Sequence, residues 1–159
     1  MNGVEQYLDK HAVAYVRHEH EAVFTCKEAD ELRGSIKGMA SKNLFLQNKK
    51  KTRFFLVIIS STKQIDLKKF AELVNEKKIS LASSETLYKK LKLTPGSVSP
   101  FGLINDPEHE VEVYIDSDVG HSETVSFHPN INTVTLDLSN KMFKKFLNSI
   151  PHNYKSLSL

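Results

Sequence analysis

Six consecutive apolar residues, Phe54-Phe55-Leu56-Val57-Ile58-Ile59, restrict this chain of 159 residues more than any other segment. A run of that length reads as a core strand; a membrane span needs roughly 20 such residues. A second apolar segment, Asn43-Leu44-Phe45-Leu46, precedes it, and the polar run from Gln47 to Thr52 between them reads as a hairpin turn. The two strands therefore pair, and the rest of the chain must supply what covers them.

Local signals supply those elements. Residues 4–11 suit a short helix, and residues 14–18 alternate like a half-buried strand. Thr25 with Glu28 fits a capping box that opens a helix ending at Gly34. Asp66 caps a helix whose apolar residues Leu67, Phe70, Ala71 and Val74 recur at helical spacing. A short strand near Ile79 to Leu81 leads to a helix capped by Ser83, with Leu87, Tyr88 and Leu91 on one face. From Thr94 to Gly102, two prolines and two glycines in nine residues speak for a shaped loop without regular structure. Strands follow at 110–115, 123–128 and 132–138, and Ser139 opens a last amphipathic helix carrying Met142, Phe143, Phe146 and Leu147. Helices among hairpin-connected strands predict an α/β fold of the α+β type. Its sheet is curled, mixed, largely antiparallel and barrel-like, flanked by helices, in one domain spanning residues 1–159.

Charge and cysteine content exclude several classes. Apolar residues make up 40% and charged residues 26%, which is ordinary for a soluble globular protein and too apolar for disorder. The N-terminus lacks a basic region followed by an apolar stretch, so a cytoplasmic protein without a secretory signal or a membrane is expected. Cys26 is the only cysteine, which rules out an internal disulfide and a cysteine-based zinc site. In the first turn of a capped helix its thiol could act as a nucleophile with His20 as base, but a small buried side chain is the commoner role. The net charge of +3 identifies no partner, but the basic residues cluster at Lys49-Lys50-Lys51 with Arg53, at Lys77-Lys78 and at Lys89, Lys90 and Lys92. Each cluster is either a phosphate contact or a solvated turn or helix face.

Three places could carry chemistry. Lys42 enters the core strand; its ammonium either faces a cleft with anionic or carbonyl partners or snorkels to the surface at the strand start. The loop Gly96-Ser97-Val98-Ser99-Pro100 can aim successive amides at one carbonyl or developing oxyanion, or be an ordinary connector. His18 and His20 share a face of an extended segment, while His128 ends a strand and can line a pocket. A His-x-His pair with no third ligand at metal spacing is a weak metal signal, and no metal or other cofactor is expected.

Four strings in order then carry a resemblance over about residues 4–150. They are His20 to Thr25, Lys42 to Leu46, Thr94 to Leu103, and Phe127-His128-Pro129 with Asn132-Thr133. Together they resemble the YbaK/prolyl-tRNA-synthetase-associated editing domains, and are most similar to the free-standing deacylases of alanyl-tRNA(Pro). The resemblance implies an aminoacyl-tRNA hydrolase that acts on the acceptor end of mischarged tRNA(Pro), with a prolyl-tRNA synthetase as a candidate partner. It implies that Lys42 holds the terminal adenosine and aminoacyl carbonyl, and that Gly96, Ser97, Val98, Ser99 and Pro100 form the amide-donating loop. His20, Thr25, Asn43, Phe101, Gly102 and His128 would then shape the substrate pocket. Lys49, Lys50, Lys51 and Arg53, or alternatively Lys89 to Lys92, would meet the tRNA backbone. The ribose 2′-hydroxyl would help to activate water. Cysteine or serine as the amino acid removed, a non-catalytic tRNA-binding module on this fold, and a metal-dependent hydrolase using His18 and His20 remain the alternatives.

Overall fold

The structure, a computed structural model, describes residues 3–20, 41–131 and 133–159. The expected capping box at Thr25 and Glu28, its helix to Gly34, Cys26 and Asn132 lie outside them. Helix α1 (Gly3–Lys10) and strand β1 (Val16–Glu19) come first, followed by β2 (Ser41–Asn48) and β3 (Phe54–Ser60). Then come α2 (Leu67–Leu73), β4 (Ile79–Leu81), α3 (Ser84–Leu91) and a 3₁₀ helix (Pro100–Asn105). Strand β5 (Val111–Asp116), α4 (Ser117–Gly120), β6 (Thr124–Phe127), β7 (Val134–Ser139), α5 (Asn140–Ser149) and β8 (Tyr154–Leu157) complete the chain.

The apolar run is β3, and all seven of its residues are buried. It lies at the centre of a five-stranded sheet ordered β4-β2-β3-β5-β8, antiparallel to β2 and parallel to β5. Successive side chains of a strand point to opposite faces, so one uninterrupted apolar run serves two cores. Phe54, Leu56 and Ile58 face a large core shared with Phe101, Phe127, Phe143 and Phe146. Phe55, Val57 and Ile59 face a smaller one, where Phe55, Phe70 of α2 and Tyr114 of β5 pack ring against ring. Val125, Phe127, Leu136 and Leu138 bring a second sheet, β1-β7-β6, onto the large core.

The sheet thus divides in two, mixed and mostly antiparallel, and does not close into a barrel. Asp66, Ser83 and Ser139 cap α2, α3 and α5 as expected, each side-chain oxygen accepting from backbone amides of the first turn. Three expectations need correction. Tyr88 is 57% exposed, away from the buried Leu87 and Leu91, because three residues at i, i+1 and i+4 cannot all face inward. Regular structure begins inside the proline-rich stretch, at Pro100, because a proline at the first helical position gives up an amide that has no partner there anyway. Strand β8 was unexpected: it is short and polar, and is held by parallel pairing to β5. A buried bond from His152 Nε2 to Asp106 Oδ2, 2.8 Å, anchors the segment just before it.

Candidate active site

The three-stranded sheet carries a buried polar strip. Ser126, Thr135 and Asp137 sit beneath the surface of strands otherwise filled with Val, Leu and Phe. Buried polar groups need partners, and His18 of β1 and His20 just after it provide them. His18 Nε2 lies 2.9 Å from Asp137 Oδ2, and the Ser126 hydroxyl donates to the other carboxylate oxygen. His20 extends the strand pairing, its amide donating to Thr133 O at 2.9 Å, and its Nε2 lies 2.8 Å from Thr135 Oγ1. The two histidines therefore share a face, as the extended segment requires.

His128 follows β6 directly. Its Nδ1 lies 3.0 Å from Val134 O, and a carbonyl can only accept, so that nitrogen carries a proton. His20 and His128 meet edge to face with ring centroids 6.1 Å apart. The structure thus brings together two residues 108 positions apart in the chain. Two residues on, Asn130 adopts the left-handed conformation (φ 65°) and its Oδ1 accepts a hydrogen bond from Ser99 Oγ at 3.1 Å. Ser99 is fully buried, and the same hydroxyl accepts the Phe101 amide at 3.1 Å, capping the 3₁₀ helix. One serine hydroxyl therefore ties the glycine-proline loop to the turn that carries His128.

Within that loop the amides are not equivalent. Gly96 takes φ 91°, the conformation that favours glycine, and the Ser97 amide turns back to donate to Thr94 O at 3.1 Å. Ser97, already committed, and Pro100, which has no N–H, therefore contribute no donor, correcting the expectation of a five-residue cradle. The amides of Gly96, Val98 and Ser99 make no hydrogen bond among the described residues.

Strand β2 splits its two candidates between faces. Asn43 pairs with Ile58 and shares its face with Phe45, toward the large core to which Val98, Phe101 and Phe127 belong. Its Oδ1 is buried with no hydrogen-bond partner among the described residues. Lys42 pairs with Ile59 and points to the other face, where its ammonium donates to Lys63 O. Lys63 is itself held by Asp116 and Asp118, each 2.8 Å away, and hydrogen bonds to the two carboxylates hold its amine above the ordinary lysine range.

Two further assignments are corrected. Phe101 is 0% exposed, wedged edge-on against Phe127 and Phe146, and a side chain added at Gly102 would meet Leu93 Cδ1 at 2.6 Å. Both support the loop from beneath rather than touch substrate. Arg53 makes a bidentate pair with Glu112 (2.9 and 2.8 Å) and donates to Val74 O, so its guanidinium is committed within the protein rather than standing free for a phosphate. Thr25 lies outside the described residues.

The family model described as an aminoacyl-tRNA editing domain matches residues 20–146. The chain is 36% identical over 152 residues to the prolyl-tRNA editing protein ProX of Acetoanaerobium sticklandii, covering 96% of this chain and 93% of the relative. This chain belongs to the aminoacyl-tRNA editing domain family. It is also 34% identical over 155 residues to prolyl-tRNA synthetase associated domain-containing protein 1 of Bos taurus, covering 94% of this chain and 90% of that one. The fold of the editing domain recurs in the crystal structure of a candidate trans-editing enzyme for prolyl tRNA synthetase. The TM-score is 0.74 at 20% identity, over 100% of this chain and 99% of that one.

Sequence reasoning missed four contributors to this candidate site: Ser126, Asn130, Thr135 and Asp137. The alternation Val134-Thr135-Leu136-Asp137-Leu138 carries the signal for the last two, since it puts both polar side chains on one face of the strand. Asn130 reads only as a turn residue, and nothing local tells that its amide oxygen reaches a serine 31 positions earlier.

Proposed function

We propose that this editing domain is a free-standing deacylase that hydrolyses mischarged tRNA(Pro), and that alanine is the amino acid it removes. The observation that carries the reading is the Ser99–Asn130 bond, which sets a loop with three uncommitted amides beside the His20–His128 wall. An aminoacyl ester is already activated, so catalysis needs an oriented water and donors for the oxyanion rather than a strong nucleophile. The amides of Gly96 and Val98, on the exposed part of the loop, serve as those donors, and Asn43 contacts the substrate from the sheet. Lys42, flexible along its four-carbon stem, exchanges the Lys63 carbonyl for the terminal nucleotide when the substrate docks.

Specificity on this reading is steric. A pocket shaped for proline discriminates against a smaller side chain by only about 1–3 kcal/mol per methylene, so alanine escapes a synthetase and must be removed elsewhere. A second cavity that admits alanine and excludes proline completes the selection. The test is a panel of tRNA(Pro) esterified with alanine, serine, cysteine or proline. Rapid release of alanine with prolyl-tRNA(Pro) spared is the expected result. Faster release of serine or cysteine would replace alanine in the assignment, and binding without release of any amino acid would leave a non-catalytic module.

A further inference from the structure

The sequence presents Lys49-Lys50-Lys51 and Lys77-Lys78 as separate clusters, but the sheet joins them. Strand β4 pairs with the end of β2 in the register Asn48↔Ile79, and the next residue outward on each strand is Lys49 and Lys78 respectively. Asn48 is buried and holds this corner rigidly. Its Oδ1 accepts the amides of Thr52 and Arg53, and its Nδ2 donates to Thr52 Oγ1 and, at 3.0 Å, to Glu76 Oε1. Lys51 closes the turn in the left-handed conformation (φ 57°).

All five lysines are exposed, and none makes an ion pair among the described residues. Three carboxylates at this end are already engaged. Glu112 and Glu76 hold Arg53, and Glu110 holds Lys90, whose amine also lies over the Phe54 ring at 4.7 Å. The corner therefore carries five uncompensated positive charges in a chain whose net charge is +3, which leaves the remainder of the molecule with two more acidic than basic charges. A field so concentrated steers and holds a polyanion.

We infer that this corner, Lys49, Lys50, Lys51, Lys77 and Lys78, is the docking surface for the duplex phosphates of the tRNA acceptor stem. Six residue steps along strand β2 lead from Lys42 to Asn48, about 20 Å at the rise of an extended chain. An unpaired 3′ end spans that gap, so the ester reaches Asn43 while the stem rests on the lysines. The inference rests on the deacylase reading only for the identity of the polyanion.

The test compares wild-type protein, the variant K49Q/K50Q/K51Q/K77Q/K78Q, its five-arginine counterpart and K77Q/K78Q alone, against unacylated tRNA(Pro) at several salt concentrations. The glutamine variant should bind at least about ten-fold more weakly near 0.1 M salt, with a salt slope shallower by roughly four to five. The arginine variant should match wild type, and K77Q/K78Q should fall between. Hydrolysis of 3′-alanyl-adenosine, which has no stem, should be equal in all four. Unchanged tRNA affinity and slope in the glutamine variant would overturn the inference, as would equal weakness of the arginine variant or loss of alanyl-adenosine hydrolysis. If wild type released no amino acid from any substrate, the deacylase reading would fall, while the binding series would still decide the surface.

Discussion

Asn43 and Lys42 are neighbours in sequence and point to opposite faces of one strand, so they cannot play the same part. The amide oxygen of Asn43 is buried without a partner among the described residues, an arrangement that lowers stability unless a ligand completes it. Replacing Asn43 by Ala should therefore leave the thermal midpoint unchanged or raise it, where an ordinary buried hydrogen-bonding residue would lower it. Lys42→Ala should keep the fold, because its ammonium bonds only a half-exposed loop, and should lower deacylation about 10²- to 10³-fold, the scale of one lost polar contact to a transition state. A rate within two-fold of wild type would remove Lys42 from the mechanism. Burial, followed by hydrogen bonding and charge from Asp9 and Glu5, pushes the Tyr15 phenol from 10.0 up to about 12. The fold prefers the protonated phenol, so its contribution is complete below pH 10 and is lost as pH rises from 10 to about 12. Stability of Tyr15→Phe should fall less steeply across that window, as followed by denaturant midpoints. The shared face of His18 and His20 was legible from the alternation of an extended segment. The committed amide of Ser97 was not, because its partner is fixed by how the turn closes.

Among the elements, the short 3₁₀ helix matters most to the site, and it hangs on one hydroxyl. Ser99→Ala removes both the helix cap and the bond to Asn130. A cap alone is worth about 1 kcal/mol. The variant should lose roughly that stability in a denaturant titration and a larger share of its deacylation rate, since the donor loop is released from the His128 turn. Equal retention of rate would show that the loop needs no such tether. Elements with local signals were legible: three capped helices and the β2–β3 hairpin stand where the serines, the aspartate and the apolar periodicity put them. Strand β8 was not, because Tyr154-Lys155-Ser156-Leu157 has neither an apolar run nor a clear alternation, and its formation depends on the exposed edge of β5.

Over the whole molecule, β3 connects everything: it serves both cores and supports the strand that carries Asn43. Phe55→Ala, which empties the centre of the smaller core, should cost about 3–5 kcal/mol and unfold the sheet in a single transition. The division into two sheets and the parallel pairing of β3 with β5 escaped the sequence for a common reason. Both depend on contacts between strands more than fifty residues apart, and residue spacing within a segment carries no record of them. Pairing across the sheets also gathers the five lysines into one corner, through strands about thirty residues apart, and sets His20 beside His128. The most direct measurement is the single-turnover rate of alanyl-tRNA(Pro) hydrolysis by wild-type protein and by Asn43→Ala. Rapid release by wild type, with a variant at least about a hundred-fold slower and no less stable, is the result expected. Equal rates for the two proteins, or no release by wild type, would contradict it.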